Sequence, residues 1–402
     1  MMLSIKRLNI THLMLPLSIL FAVMLEIGSA DILLPALKGI QEMYAVDSTQ
    51  VERLVSYNLL GLALSSLIYG PLSDRFGRRP IYLFGVGLFA VTAGCLCFLQ
   101  SFNQLLILRL IQGLGGGVCV TVGFAMLKDQ YDNKGYTKTL AWIGAIVTAS
   151  PAVYPLIGAY LLHFGVFYIF YFTAISAVVV FGLLWLYLPE TNHSPEFKFK
   201  SYLKDYSMVI TDHRFILFAT IFGLAYAVIW VYVAVFALLA LKTYGFSPEN
   251  LGWLLLISVV CAGLGSYAQA KLINYCSISQ CLLIGIVLAV ISGLGLMLVF
   301  LPIGEAWILI GFSSLYWFSN TLIFANANDL ALDLFPEHNG IAASYLAASE
   351  LFWSAGTVWL GARLYNGTAT PIAVITLGCA VLMSIMFVFL WKNKGVFLSV
   401  VD

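Results

Sequence analysis

Long apolar stretches separated by short polar connections repeat along the whole chain. A helix that crosses a bilayer takes about 20 mostly apolar residues. Twelve stretches reach that length: 12–36, 52–72, 81–100, 104–127, 139–162, 167–187, 214–240, 250–272, 279–300, 306–328, 340–363 and 370–391. The pattern predicts an all-α polytopic membrane protein. The longest polar segment, 189–213, follows the sixth stretch and carries Glu190, Glu196, Lys198, Lys200, Lys204, Asp205 and Asp212. Long loops are uncommon inside compact units. It therefore reads as a linker between a six-helix bundle over residues 1–188 and a second over 214–402.

Composition narrows the class. Of 402 residues, 61% are apolar and 10% charged, whereas a soluble domain carries about 25% charged residues. A water-soluble enzyme, a disordered chain, a coiled coil and a nucleic-acid binder are excluded on that ground. The net charge of +1 gives no reason to expect a polyanionic partner. The seven cysteines are irregularly spaced and mostly within apolar runs, which fits small buried hydrophobes and neither a disulfide framework nor a metal site.

Lys6 and Arg7 precede the first run, and Gly28-Ser29-Ala30 loosely resembles a signal-peptidase site. The run is too long for a signal core and contains Glu26, so it reads as an uncleaved first helix. With the N-terminus in the cytoplasm, 15 Lys and Arg fall on the inner side. Four (Lys38, Arg53, Lys242 and Arg363) fall on the outer side. This asymmetry predicts both termini inside and an even number of spans.

Charge at mid-bilayer costs about 2.5–3.5 kcal/mol on insertion scales, so the few intramembrane charges are candidate functional groups. They are Glu26 and Asp31 in the first run, Arg109 in the fourth and Glu350 in the eleventh. Asp31 and Arg109 lie at similar depth, about five residues from the outer ends of their runs, which predicts that they pair. Glu26 and Asp31 are separated by roughly 140° around a helix, so Glu26 is expected to face a cavity while Asp31 serves Arg109. Glu350 carries a proton or binds a cation in the same reading. No His lies mid-run, and no Ser-His-Asp set, P-loop or HExxH occurs, which argues against haem, a metal centre and ATP-driven work.

Between the second and third runs the chain reads Gly70-Pro71-Leu72-Ser73-Asp74-Arg75-Phe76-Gly77-Arg78-Arg79-Pro80. This resembles the loop signature of the major facilitator superfamily, and it lies where that family carries it. Arg109-Leu110-Ile111-Gln112-Gly113 resembles the fourth-helix motif of proton-coupled members. Ser150 to Gly158, with Pro151, Pro155 and Gly158, resembles the fifth-helix antiporter motif, with Tyr154 where a small residue is usual. Asp31-Ile32-Leu33-Leu34-Pro35-Ala36-Leu37 and Leu188-Pro189-Glu190-Thr191 are similar to segments of Bcr/CflA drug-resistance transporters.

The resemblance implies two six-helix bundles, each with inverted three-helix repeats, rocking about a central cavity. It implies that Gly70, Asp74, Arg75, Gly77, Arg78 and Arg79 form the inner gate, with Asp74 in a charge relay that meets the start of the eleventh helix. It further implies a monomeric multi-pass protein of a bacterial inner membrane, driven by protons and needing no cofactor.

Tyr57 and Asn58 in the second run, Tyr226, Trp230 and Tyr232 in the seventh, Tyr316, Trp317 and Asn320 in the tenth and Trp353 in the eleventh are candidate cavity residues. An aromatic wall with one or two acids suits lipophilic, often cationic, small molecules. The expected activity is proton-coupled efflux of drugs or amphipathic compounds. An exporter of one metabolite, such as a siderophore or sugar, uses the same machinery. A membrane-embedded transferase is a more distant reading, because no catalytic set lies at a membrane face.

Overall fold

The computed structural model describes residues 2–98, 101–131, 133–147, 149–192, 199–300 and 305–392. Glu196 and Lys198 of the polar segment lie outside them. All regular structure among the described residues is helical. Helices α1 (Met2–Asp31), α2 (Leu37–Tyr44), α3 (Ser48–Phe76), α4 (Arg78–Leu96), α5 (Phe102–Gly116), α6 (Val118–Gln130), α7 (Asn133–Val147), α8 (Ser150–Leu162) and α9 (Phe167–Tyr187) come first. Then follow α10 (Phe199–Thr211), α11 (His213–Leu238), α12 (Pro248–Leu272), α13 (Ile278–Leu296), α14 (Glu305–Asp333), α15 (Asn339–Leu364) and α16 (Thr370–Lys392).

Among the described residues, ten helical segments are long and apolar enough to cross a membrane. The other two expected spans depart for identifiable reasons. The fifth stretch is split into α7 and α8, because Pro151 stands in the first turn of α8. Proline lacks an N–H and disfavours helical backbone in the residue before it, so it opens a helix but does not sit comfortably inside one. The eleventh stretch is the continuous 26-residue α15, whose Ser344, Ser349, Glu350 and Ser354 lower its hydropathy. Together these segments make the 12-helix, two-domain fold. Residues 199–211, expected as loop, form α10. Asp212 ends that segment and caps α11, its carboxylate accepting from the backbone N–H of Arg214 at 2.8 Å and Phe215 at 3.2 Å.

The chain folds as two compact units. The first holds residues 1–36 and 57–202, the second 37–56 and 203–402. The core of the first joins Ile19 and Val23 of α1, Tyr82, Val86 and Phe89 of α4, Val122 and Met126 of α6 and Leu184 of α9. Glycines bring α3 and α5 into backbone contact there. A Cβ on Gly61 would stand 2.2 Å from the Leu110 carbonyl oxygen, and one on Gly113 would stand 2.2 Å from that of Asn58. Small residues are the usual means of such close approach in lipid.

In the second unit α11 is apolar on nearly every side. Its Phe215, Phe218, Ile221, Val231 and Phe236 are all buried, as expected of a helix surrounded by neighbours. Those neighbours are α14, α15 and α16, with α12 and α13 packed on α14.

Candidate functional site

The intramembrane charges of the first unit are buried together around the far end of α1. Relative exposure is 8% for Glu26, 2% for Asp31 and 1% for Arg109. Asp31 and Arg109 do not pair. Asp31 Oδ2 accepts from the hydroxyl of Ser150 at 2.7 Å. The Arg109 guanidinium donates to Gln112 Oε1 at 2.7 Å and to the Ser29 carbonyl at 3.2 Å. Equal depth along two helices fixes only the axial coordinate, and rotation about the helix sends the two groups to different partners. Asn58 secures the same region, its amide donating to the Arg109 carbonyl at 3.2 Å.

One face of α8 carries these contacts at helical spacing. Ser150 meets Asp31, Tyr154 lies against Gly28, and a Cβ on Gly158 would stand 2.3 Å from the Ile32 carbonyl oxygen. Residues four and eight apart share a helix face. One face of the antiporter-like motif, from Ser150 to Gly158, is thus the surface that docks on the acid-bearing end of α1. Pro155 is buried within α8. Glu26 faces elsewhere, against Gly116 at the end of α5. A cavity of about 290 Å³ lies between α1, α8 and α9, lined by Met24, Gly28, Ser29, Tyr154, Thr173 and Ser176 among others.

The loop motif forms a second polar cluster in the same unit. Arg78 pairs with Asp74 at 2.5 Å and with Asp129 at 3.2 Å, and donates to the Ser73 hydroxyl at 2.7 Å. Gly77 has a φ of +96°, a conformation open to glycine and strained for other residues. It also leaves room for Glu190, because a Cβ there would stand 2.7 Å from Oε2. Glu190 caps α4 by accepting from the backbone N–H of Arg78 at 2.9 Å and Arg79 at 3.1 Å. An acid at a helix start is favoured by the dipole and the unpaired donors. Arg79 donates to the Trp185 carbonyl at 3.0 Å, and Arg75 lies over the Phe76 ring. Gly70 supplies the carbonyl that Ser73 bonds at 2.9 Å.

Asp129, Glu190, Ser29 and Ser150 were not singled out as site residues from sequence. Ser150 and Glu190 sit inside recognised motifs, which was the available signal; Asp129, at the end of α6, offered none. Removing the cap by Glu190→Ala is expected to lower stability by about 1 kcal/mol, read as a fall in melting temperature, with Glu190→Gln recovering part of it. An unchanged melting temperature in the alanine variant contradicts the capping role.

The candidate cavity residues divide. Tyr57, Tyr226 and Trp353 are half-buried. Tyr232 and Tyr316 are each 1% exposed and pack inside the second unit, so their expected place on an open wall is corrected. Tyr316 donates to the Ala225 carbonyl at 3.0 Å, and Tyr232 stacks on Phe236. Trp230, Trp317 and Asn320 are nearly buried, yet the two indole N–H groups and the Asn320 amide oxygen have no hydrogen-bond partner. Buried polar atoms without partners are rare and costly. Glu350 is partly buried on α15, and its backbone carbonyl accepts from the Ser354 hydroxyl at 2.6 Å.

Residues 19–361 match the Major Facilitator Superfamily, and the chain belongs to that family. The family to which the chain belongs makes it a transporter and not an enzyme. It is 27% identical over 359 residues to multidrug resistance protein MdtL of Shewanella sp. (strain ANA-3), covering 89% of this chain and 90% of that protein. It is 24% identical to a bicyclomycin resistance protein homolog of Haemophilus influenzae, over 92% of this chain and 94% of that one. The crystal structure of a D-xylose-proton symporter shares the fold, with a TM-score of 0.71 at 14% identity over 92% of this chain and 97% of that chain. The resemblance read from the loop and helix motifs is borne out at the level of family and fold.

Proposed function

We propose that the protein exports drugs or similar small amphipathic compounds across a bacterial inner membrane in exchange for protons, with both termini in the cytoplasm. The observation that carries this reading is the burial of Glu26, Asp31 and Arg109 inside one lipid-embedded bundle. Buried ionisable groups are expensive in a membrane and are rarely kept without a task. A proton added to or lost from either acid changes a charge that water does not screen. Ser150 and the stripe of α8, which form the antiporter-like motif, then receive that change from α1.

The relatives named for multidrug and bicyclomycin resistance support the substrate class. The partnerless indole donors of Trp230 and Trp317 and the amide oxygen of Asn320 supply polar anchors among aromatic surface. The Asp74–Arg78–Asp129 cluster supports a charge-controlled gate at its end of the bundle. The energy source is the proton gradient, and no cofactor takes part.

The test is retention of ethidium, a lipophilic aromatic cation, in cells lacking and expressing the protein. Expression is expected to lower retention, and a proton uncoupler is expected to abolish the difference. Equal retention with and without the protein, across a panel of such compounds, contradicts drug export. A difference that survives the uncoupler contradicts proton coupling.

A further inference from the structure

Residues 37–56 belong to the second unit, although the chain on either side of them, 1–36 and 57–202, forms the first. This segment is α2 and the start of α3. Its docking is polar where it meets Lys242, which stands in the one-turn π-helix Leu239–Thr243 that extends α11. Wide turns of this kind recur at functional sites. The Lys242 ammonium donates to Gln41 Oε1 and to the Ser48 hydroxyl, the latter at 3.1 Å. Beside it, the Thr243 hydroxyl donates to the Gly367 carbonyl at 3.0 Å.

Glu52 follows Ser48 by one helical turn and is wholly buried. Neither of its carboxyl oxygens has a hydrogen-bond donor. The charge of Lys242 reaches Glu52, but its hydrogen bonds go to Gln41 and Ser48. The other ionisable groups around the pair are Lys38 and Glu42 of α2, which act on Lys242, and the Tyr365 phenol, which acts on Glu52. Arg53, next in sequence, has its buried Nε unpartnered.

A carboxylate anion sealed away without a donor is far more costly than the neutral acid in the same place. The same residue reached by water is an ordinary ionised glutamate. Docking of the segment therefore favours a proton on Glu52, and undocking releases it. Two of the four cations that the positive-inside count puts on the outer side, Lys38 and Lys242, belong to this cluster.

We propose that Glu52 is a second proton-binding site, filled as residues 37–56 dock against Lys242, so that acid on the outer side closes this latch. The outer-side assignment rests on the transporter reading above. The latch belongs to the second unit and the Glu26–Asp31–Arg109 network to the first.

Val51 is fully buried beside Glu52, so Val51→Cys reports docking. Its rate of reaction with a membrane-impermeant maleimide is measured on the full-length protein in right-side-out vesicles. The rate is divided by that of the same protein unfolded, which removes the thiol's own titration, and the unsubstituted protein gives the background from native cysteines. From about pH 6 to about pH 8, the corrected rate is expected to rise on the order of tenfold. With Glu52→Gln added it stays low at both pH values. With Lys242→Met added it is high at both.

An identical pH response with and without Glu52→Gln overturns the proposal. So does a full pH response retained in Lys242→Met, which guards against a Gln variant that fails to fold. Efflux of the ethidium panel from cells is followed in parallel: its absence contradicts the drug-export reading, whereas the latch is decided by labelling alone.

Discussion

Arg109→Ala is expected to leave little folded protein in the membrane and no transport from what remains. Arg109 is 1% exposed, and its guanidinium holds Gln112 and the Ser29 carbonyl. The substitution leaves a cavity and strips a donor from Gln112, which is itself wholly buried and whose amide nitrogen already lacks a partner. Breaking a buried charged network of this kind costs about 3–5 kcal/mol. Neutralising Asp31 does not repair the loss, because Asp31 is bonded to Ser150 and not to Arg109. Abundance and thermal stability of Arg109→Ala and of Arg109→Ala with Asp31→Asn are therefore expected to match. Recovery of abundance and efflux in the double variant contradicts the bonding pattern and restores a direct Asp31–Arg109 pair.

Glu26→Gln is expected to give the opposite combination: a folded protein that does not couple to protons. The amide keeps the shape of the side chain against Gly116 and removes the ionisation. Stability in detergent stays near that of the parent, while proton-driven ethidium efflux falls to the level of cells without the protein. Full efflux by Glu26→Gln removes Glu26 from the mechanism.

The helical runs were legible because a membrane span is a crude requirement: about 20 apolar residues in a row. Features that depend on direction around a helix were less so. Asp31 and Arg109 share a depth, but Ser150 takes the acid and Gln112 takes the guanidinium. Tyr232 and Tyr316 read as cavity aromatics, yet aromatic side chains fill the inside of a bundle as readily as they line it, and these two are inside.

The loop motif was legible in its glycines and Asp74. Asp129, at the end of α6, and Glu190, in the segment that follows α9, complete it and meet it only after folding. The amphipathic α10 was hidden by its charges, which made the segment look like loop. Glu52 gave no signal either. At the start of an apolar run an acid reads as a solvated helix end, and only the docking of residues 37–56 buries it.

The claim on which the account depends is that protons bound and released at acids within the bundle drive the cargo. The most direct measurement uses the purified full-length protein in sealed liposomes, following ethidium movement after an imposed pH step. The account predicts movement that requires the pH step or a voltage, collapses when ionophores dissipate both, and is absent in Glu26→Gln. Equal movement in liposomes carrying no gradient of either kind contradicts it.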